Sequence, residues 1–463
     1  IAVPEWNAFV SSFWVIDWQD LWNQFDGNPS RRISVGRYDT ASSIIAALMG
    51  SCVGGLEHSL VYSPPDASEE TCAIRRDLCG RYAVHGVNYL GFTVDEHNMV
   101  WQAWQSLQRR PRMFAQPFTK PGGRYVVVGS GPSLDQALPV IRELQATHQI
   151  LACGSNYSTL RAAGIAVDVL LILERGEFFS ENYVNDYRPT VERYGAGDTV
   201  LMCSVTPPAR FHAFFRDATV FFRPALTPLA LFANSLNEIL PFEGPQTVNT
   251  GVALAATCGA EEVVLFGVDL ATRDLDRPRS AGANGFTPRE FNHEAPGNFG
   301  GTVYTERELL DTQLSLELTL RCHESMKVFN ASDGMAIAGA EPIRPEAYLE
   351  RAVLWQGDGG RSAFRAWWDG LPRYSPERFQ ASWRSRRPRQ AVARNFAALR
   401  ELFAGPTPWF PDLLWRCTEL LALDVAPADQ FPRRVIRAAI HKLTLTITRQ
   451  LMVMGRDPVA QDR

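Results

Sequence analysis

The feature that most constrains the fold is an alternation of short apolar runs with amphipathic stretches across residues 124–270. These runs are rich in Val, Ile, Leu and Phe, the composition of strands buried on both faces of a parallel sheet. They are RYVVVG (124–129), QILACG (149–154), DVLLIL (168–173), TVLMCS (199–204), ATVFF (218–222) and EVVLFGVDL (262–270). Strands that alternate with helices are joined by right-handed crossovers. The pattern therefore predicts an α/β fold whose centre is a doubly wound, mainly parallel, Rossmann-like sheet.

The regions on either side of this alternation differ from it in composition. Residues 1–120 are rich in Trp and loop-forming residues, and Pro121-Gly122-Gly123 separates them from the first predicted strand. Beyond residue 345 the pattern is helical and rich in Arg, with amphipathic stretches at 376–403 and 433–452. We predict an α+β N-terminal domain (1–120), a Rossmann-like catalytic domain (121–345) and a helical C-terminal domain (346–463).

Lysine is scarce in this chain, and its scarcity excludes one class of enzyme. The 463 residues include only Lys120, Lys327 and Lys442, and none of them stands in the G-x-x-x-x-G-K-[ST] motif of a P-loop. A P-loop NTPase is therefore excluded, which leaves arginines and backbone amides as phosphate ligands. The net charge of −4 gives no reason to expect nucleic-acid binding. No apolar run approaches the ~20 residues of a membrane span, and the scattered cysteines are typical of a cytoplasmic protein.

A turn that contains two glycines follows the first predicted strand. In VVVGSGPSLD (126–135) the strand ends at Gly129, and Pro132 stands near the start of a helix, where its missing N–H costs little. The free N–H groups of a helix start favour an anion, and glycines let a phosphate approach the backbone. The turn formed by Gly129, Ser130, Gly131, Pro132 and Ser133 is therefore a candidate site for an anionic group. The alternative is a tight turn without a ligand, and Leu134 departs from the dinucleotide-binding fingerprint.

Polar residues also follow other predicted strands. Asn156 follows the second strand, Glu174 the third, and Asp269 the sixth, while Asn249-Thr250-Gly251 opens the helix before that sixth strand. In open α/β sheets, ligands bind beyond the carboxyl ends of the strands. The amide of Asn156 can both donate and accept, which suits a ribose or a base. These positions predict a binding site at this edge of the sheet.

Several segments together resemble the motility accessory factor (Maf) family of bacterial proteins. They are GSGPSLD (129–135), GSN (154–156), VDVLLILERGE (167–177), NTGVALAATCGAEEVVLFGVDL (249–270), GNFGGTVYT (297–305) and VFNASDGMAIAGA (328–340). That family is implicated in attaching nonulosonic acids, such as pseudaminic or legionaminic acid, to Ser or Thr of flagellin. Its central domain is related to 6-hydroxymethylpterin diphosphokinase-like proteins and, more distantly, to bacterial sialyltransferases.

The resemblance implies a cytoplasmic glycosyltransferase that uses a CMP-activated nonulosonic acid as donor and flagellin as acceptor, for flagellum assembly and motility. No metal or other cofactor is required by sialyltransferase-like enzymes, so we expect none. Residues 129–133 would approach the phosphate or ribose, and Asn156 the nucleotide or sugar. Thr250 and Gly251 would approach the cytidine, with Asn249 beside them.

The acceptor hydroxyl needs a general base in such a reaction. His293, which we place in a loop, is the leading candidate, because an unperturbed pKa near ~6.5 suits proton abstraction. Asp269 and Glu174 are the rivals, since both stand at the ends of predicted strands. The spacing of Asp274 and Asp276 is that of metal-binding D-x-D sequences, but the resemblance does not require the metal. Positive charge for the phosphate is available from Arg175, Arg273, Arg277 and Arg289.

Two other functions stay open at this point. A pterin diphosphokinase would share the G-x-G-P-S-L loop but would need ATP and Mg²⁺, and its small substrate would leave the long flanking regions without a role. A non-catalytic flagellin-binding protein could keep the same fold. The C-terminal arginines at 384, 386, 387 and 389 could bind an acidic partner or form a solvated helix face.

Overall fold

The structure is a computed structural model of the chain, and it describes most of the central region and parts of both ends. The described residues are 10–23, 44, 67–76, 78, 93–173, 175–215, 217–224, 226–283, 290–404, 416–417, 420, 426, 428–437 and 439–440. The chain forms two compact units. One comprises Ile1–His97 with Arg386–Arg463, and the other, Asn98–Ser385, contains the α/β region.

A sheet of nine strands forms the centre of the second unit, and all its neighbouring strands are parallel. The strands are β1 (Arg112–Met113), β2 (Arg124–Val128), β3 (Gln149–Cys153), β4 (Val169–Ile172), β5 (Val200–Ser204), β6 (Ala218–Phe221), β7 (Glu262–Phe266), β10 (Lys327–Asn330) and β11 (Glu341–Pro342), and a separate antiparallel hairpin consists of β8 (His293–Pro296) and β9 (Thr302–Thr305). Each of the six apolar runs in the sequence forms a strand, so the predicted α/β fold with a parallel sheet is confirmed.

The helices of the described residues belong to both units, and those of the second unit connect its strands and cover its sheet. The helices are α1 (Trp18–Asn23), α2 (Thr93–Gln108), α3 (Leu134–Leu144), α4 (Tyr157–Ala162), α5 (Glu177–Tyr194), α6 (Thr227–Phe232), α7 (Thr247–Thr257), α8 (Arg307–Cys322), α9 (Pro345–Ala352), α10 (Arg361–Asp369), α11 (Pro376–Arg386) and α12 (Pro388–Ala404). The helical stretch predicted at 376–403 is interrupted at Arg387, because the residue before a proline is disfavoured in helical geometry. Among the described residues, no helix has the length and apolarity to cross a membrane.

The strand order reverses at β2, which lies between β3 and β7. The sheet runs in the order β1-β6-β5-β4-β3-β2-β7-β10-β11. From β2 the chain proceeds outward through β3 to β6, and it then returns to the other side of β2 to form β7. A crevice opens beyond the carboxyl ends of the strands where the order reverses in this way, and it is the usual ligand position in an open α/β sheet.

Helix α7 packs closely on the central strands because it carries a glycine where it meets them. A Cβ on Gly251 would lie 2.8 Å from Cγ1 of Val127 on β2 and 3.4 Å from the Cys153 sulfur on β3. Alanines, Val252 and Leu254 surround this glycine and are buried, so the helix is apolar on nearly all sides. Such a helix is stable only in a core.

The amino edge of the sheet is held by a partly buried ion pair. Arg361 at the start of α10 donates to Asp168 at 2.7 Å and to the carbonyl oxygens of Gln145 and His148 at 2.8 and 2.6 Å. The Asp168 carboxylate also accepts the backbone N–H of Ile150 at 2.8 Å. These bonds join α10 to the sheet at the edge opposite the crevice.

Candidate functional site

The turn after β2 and the turn after β7 are joined by backbone hydrogen bonds. Gly129 donates its N–H to the carbonyl oxygen of Phe266 at 2.8 Å, and Gly131 donates to that of Gly267 at 2.8 Å. A Cβ on Gly129 would overlap the Gly267 carbonyl, so the glycine is needed for this approach. The two glycine amides that the sequence assigns to phosphate thus bind the protein itself, and their contact with a phosphate stays a prediction.

Asp269 connects the end of β7 to the same turn. Its Oδ2 accepts from the Ser133 hydroxyl at 2.9 Å and from the Ser133 N–H at 3.4 Å, and a Cβ on Gly131 would overlap the carboxylate. Asp269 is 1% exposed, and its Oδ1 has no hydrogen-bond partner among the described residues. Burial, opposed by the Ser133 hydrogen bonds and assisted by the charge of Asp333, raises the pKa of this carboxyl to about 7.

A cavity of about 580 Å³ lies beside Asp269, at the start of α3. Its lining comes from three segments: the turn and first residues of α3, the segment that follows β7, and the turn after β10. The lining residues are Pro132, Ser133, Asp135, Gln136, Asp269, Thr272, Arg273, Asp274, Asp276, Arg277, Pro278, Arg279, Ala281, Ala283 and Asp333. The cavity therefore lies at the predicted edge of the sheet and contains Pro132, Ser133 and Asp269 from the predicted site.

Two of the cavity arginines are held by neighbouring loops. Arg273 donates to Asp333 at 3.1 and 3.2 Å and to the carbonyl oxygen of Gly300 at 2.9 Å. Arg279 donates to the Ser155 hydroxyl at 2.6 Å, and that hydroxyl lies 2.8 Å from the hydroxyl of Ser130. Arg279 thus joins the segment after β7 to the turns after β2 and β3.

Arg279, Ser155, Asp135 and Asp333 were not predicted as site residues. Arg279 lies in an irregular segment without hydrophobic periodicity, so no pattern places it near Ser155, which is 124 residues away in the chain. Asp333 belongs to the segment VFNASDG, which predicts only a strand followed by a turn. Of the arginines named for the phosphate, Arg273 and Arg277 line the cavity, and Arg289 lies outside the described residues.

Asn156 lies at the start of α4 and is fully buried. Its Nδ2 donates to the carbonyl oxygen of Val128 at the end of β2, at 2.6 Å. Its Oδ1 has no partner among the described residues, so this atom can accept one further hydrogen bond. The side chain joins the ends of β2 and β3, and its contact with a nucleotide or sugar stays a prediction.

The predicted cytidine-binding residues Asn249, Thr250 and Gly251 lie within α7 and not among the residues that line the cavity. Asn249 accepts the Gln246 N–H at 3.0 Å and donates to the carbonyl oxygen of Thr312 at 3.1 Å, whereas the Thr250 hydroxyl donates to a nearby backbone carbonyl at 2.7 Å. These bonds stabilise the start of the helix. Binding of cytidine by these residues stays a prediction.

The candidates for the general base lie in different places. The sequence predicts a loop at His293, but this half-exposed residue instead begins β8, which pairs with β9. Tyr304 on β9 pairs in turn with Thr272 of the cavity, so β8 lies two strand spacings, ~10 Å, from this part of the wall. Asp269 lines the cavity, His293 does not, and Glu174 lies outside the described residues.

The pair Asp274 and Asp276 forms a local turn, in which the Asp274 carboxylate accepts the Asp276 N–H at 3.0 Å. Within the part of the chain that the structure describes, no three His, Cys, Asp or Glu side chains come close enough to hold a metal ion. The expectation that no metal is required stays a prediction.

The chain is similar to known proteins in sequence and in fold. The central region, residues 102–275, matches the family model described as 6-hydroxymethylpterin diphosphokinase MptE-like. The structure of a Maf glycosyltransferase from Magnetospirillum magneticum AMB-1 matches with a TM-score of 0.68 and 24% sequence identity, over 95% of this chain and 68% of that chain. The chain has the Maf fold. A comparison with curated proteins finds no match.

The resemblance to the Maf family that the sequence segments indicate is thereby confirmed at the level of the fold. The match extends over nearly the whole chain, whereas the sequence segments cover only the central region. In this Maf fold, the segments GSGPSLD, GSN and GVDL end at one edge of the sheet and meet there.

Proposed function

We propose that the protein is a cytoplasmic glycosyltransferase that transfers a nonulosonic acid from its CMP form to Ser or Thr hydroxyls of flagellin. The observation that carries the proposal is a cavity with three arginines in its lining, at the point where the strand order reverses, in the fold of a Maf glycosyltransferase. Arginines bind phosphate through paired N–H groups, which makes the cavity a suitable place for the donor phosphate.

The charges of the cavity favour a donor with a single phosphate. The lining contains Arg273, Arg277 and Arg279 against five aspartates, of which Asp333 is paired with Arg273. Asp269, whose pKa is raised to about 7, is partly neutral near pH 7. Because each further negative charge is repelled by the remaining carboxylates, a nucleoside monophosphate linked to a sugar fits this cavity better than a nucleoside triphosphate.

The transfer itself breaks one bond and forms another at the same carbon. The acceptor hydroxyl oxygen attacks the anomeric carbon, the bond from that carbon to the CMP phosphate oxygen breaks, and the hydroxyl proton moves to the base. The sugar passes through a state with oxocarbenium character, as in other glycosyl transfers. Arg277 and Arg279 would stabilise the charge on the departing CMP, and His293 would take the proton from a hydroxyl positioned near β8.

The experiment is to incubate the purified chain with flagellin and a CMP-nonulosonic acid, and to measure the intact mass of flagellin and the released CMP. We expect a mass gain equal to the sugar residue, with an equal amount of CMP. Arg277→Gln should slow the transfer, whereas Arg321→Gln, an exposed arginine on α8, serves as the matched control. An unchanged flagellin mass with every CMP-nonulosonic acid tested would refute the proposal.

A pterin diphosphokinase is the second candidate, because the family model for residues 102–275 carries that description. The same preparation is therefore incubated with ATP, Mg²⁺ and 6-hydroxymethylpterin, and release of AMP is measured. AMP release without any sugar transfer would favour the kinase. Binding of flagellin without either reaction, and unaffected by replacement of His293, Asp269 or Glu174, would favour a non-catalytic flagellin-binding protein.

A further inference from the structure

Two segments of the sequence, GNFGGTVYT (297–305) and VFNASDGMAIAGA (328–340), contribute only Asp333 to the cavity wall. Three of their polar side chains form a cluster behind the end of β7. Asn298, Asn330 and Ser332 are all buried there, beneath the residues that lead to Asp269. Buried polar groups are costly unless they are hydrogen bonded, so the contacts of this cluster show what it supports.

Ser332 takes over the hydrogen bonding of β7 where the strand stops. Gly267 has a φ of +63°, which turns the chain out of the sheet after Phe266. The next N–H, that of Val268, donates to the Ser332 hydroxyl at 2.9 Å. The same hydroxyl donates to the carbonyl oxygen of Leu265 at 3.3 Å. Ser332 therefore connects the last part of the strand with the turn that follows it.

The two asparagines hold Ser332 in place. The Ser332 N–H donates to Asn330 Oδ1 at 3.1 Å, and Asn298 Nδ2 donates to the carbonyl oxygens of both Asn330 and Ser332 at 2.9 Å. Among the described residues, Asn298 Oδ1 is the atom of these three side chains that has no partner. A buried network of this kind specifies one arrangement, because any displacement leaves polar groups unpaired.

The turn after β10 also contacts the backbone of Asp269. The carbonyl oxygen of Asp269 accepts the Met335 N–H at 2.7 Å, and a Cβ on Gly334 would overlap the Asp269 backbone. Val268 and Asp269 are thus held by consecutive parts of one turn. The side chain of Asp269 extends from this support to Ser133, in the wall of the cavity.

We propose that Ser332 is a positioning residue for the donor site. By holding Val268, it fixes the backbone from which the Asp269 carboxylate binds Ser133, and so it sets the position of the turn at 129–133 beside the cavity. Ser332 does not itself line the cavity. This inference rests on the proposed function, because the cavity is assigned there to the donor.

The test compares Ser332→Ala, Ser332→Cys and Ser332→Thr with Thr199→Ala. Thr199 is the matched control because its buried hydroxyl donates to the carbonyl oxygen of Val167 at 2.8 Å, at the opposite edge of the sheet. Ser332→Ala leaves the Val268 N–H without this acceptor, and we expect the KM for the CMP-sugar to rise by about tenfold. The KM for flagellin should stay unchanged. Ser332→Thr keeps the hydroxyl and should have the donor KM of the wild type. Ser332→Cys replaces the hydroxyl with a thiol, a weaker hydrogen-bond acceptor, so its donor KM should lie between those of the wild type and Ser332→Ala.

Hydrogen exchange provides a readout that does not depend on activity. In Ser332→Ala, the amides of residues 129–135 and 267–270 should exchange faster than in the wild type and in Thr199→Ala. The inference is overturned if exchange in these peptides is unchanged, if both KM values change equally, or if activity falls only with the folded fraction. A wild-type chain that transfers no sugar refutes the proposed function, and the exchange comparison still decides the role of Ser332.

Discussion

Asp269 should make the folded protein less stable as the pH rises. Burial places the pKa of this carboxyl at about 7, above its ordinary value of 3.8. The folded state therefore holds the proton more tightly than the unfolded state does. The stabilisation from this proton is complete below a pH of about 4, and it is lost as the pH rises through 7.

Replacement by asparagine removes this titration and nearly keeps the size of the side chain. The amide oxygen of Asn can still accept from the Ser133 hydroxyl. A difference of one pKa unit corresponds to about 1.4 kcal/mol, so the titration of Asp269 between pH 5 and pH 8 amounts to about 3 kcal/mol. We expect the free energy of unfolding of Asp269→Asn, relative to the wild type, to increase by this amount between pH 5 and pH 8.

The assay measures the free energy of unfolding in urea at pH 5, 6, 7 and 8 at constant ionic strength. Hydrogen exchange of the β2 and β7 peptides at the same pH values reports on the strands that lead to the Asp269 site. The buried histidines His148 and His212, whose pKa values are lowered by burial to about 3 and about 4, have the opposite pH dependence. They are present in both proteins, so their effects cancel in the difference. Glu324→Gln, at an exposed position, is the control. The reasoning is refuted if the difference in the free energy of unfolding between Asp269→Asn and the wild type stays constant within about 0.5 kcal/mol from pH 5 to pH 8.

Three further predictions concern the base, the core and the amino edge of the sheet. His293→Ala should lower the kcat of transfer by about 10²- to 10⁴-fold without changing the donor KM, and a kcat within about twofold of the wild type would show that His293 is not the base. Gly251→Val should lower the free energy of unfolding in urea by about 1–3 kcal/mol, because its added carbons overlap Val127, and an unchanged midpoint would contradict the packing of α7. Arg361→Ala should lower the free energy of unfolding in urea by about 3–5 kcal/mol, because Asp168 then lacks its cation. Adding Asp168→Asn should recover part of that loss, and a double variant less stable than Arg361→Ala would contradict this explanation.

Much of the central fold could be predicted because its signals are local. A run such as Val126–Val128 is apolar at every position, and all three residues are buried. This pattern is typical of a strand that is covered on both faces. The helix Leu134–Leu144 also has a local signal, because its buried residues recur with a 3.6-residue periodicity. By contrast, β1 and β11 have two residues each, too few for any period to be visible.

The hairpin at β8 and β9 shows where local signals are insufficient. The segment that begins at His293 contains a proline and lacks a run of β-branched residues, so it predicts a loop. It becomes a strand because β9 pairs with it on one side and with the segment at Thr272 on the other. Tertiary contacts thus override the weak local preference.

The sequence by itself determined that Asp269, Asn156 and the turn at 129–133 meet at one edge of a parallel sheet, because the carboxyl ends of such strands always share an edge. Only the tertiary structure decided what these groups do there. The glycine amides of the turn bind the backbone after β7, Asp269 is buried against Ser133, and Arg279 reaches the site from an irregular segment. Hydrogen-bond partners and burial depend on atoms far away in the chain, and no periodicity in the sequence encodes those distances.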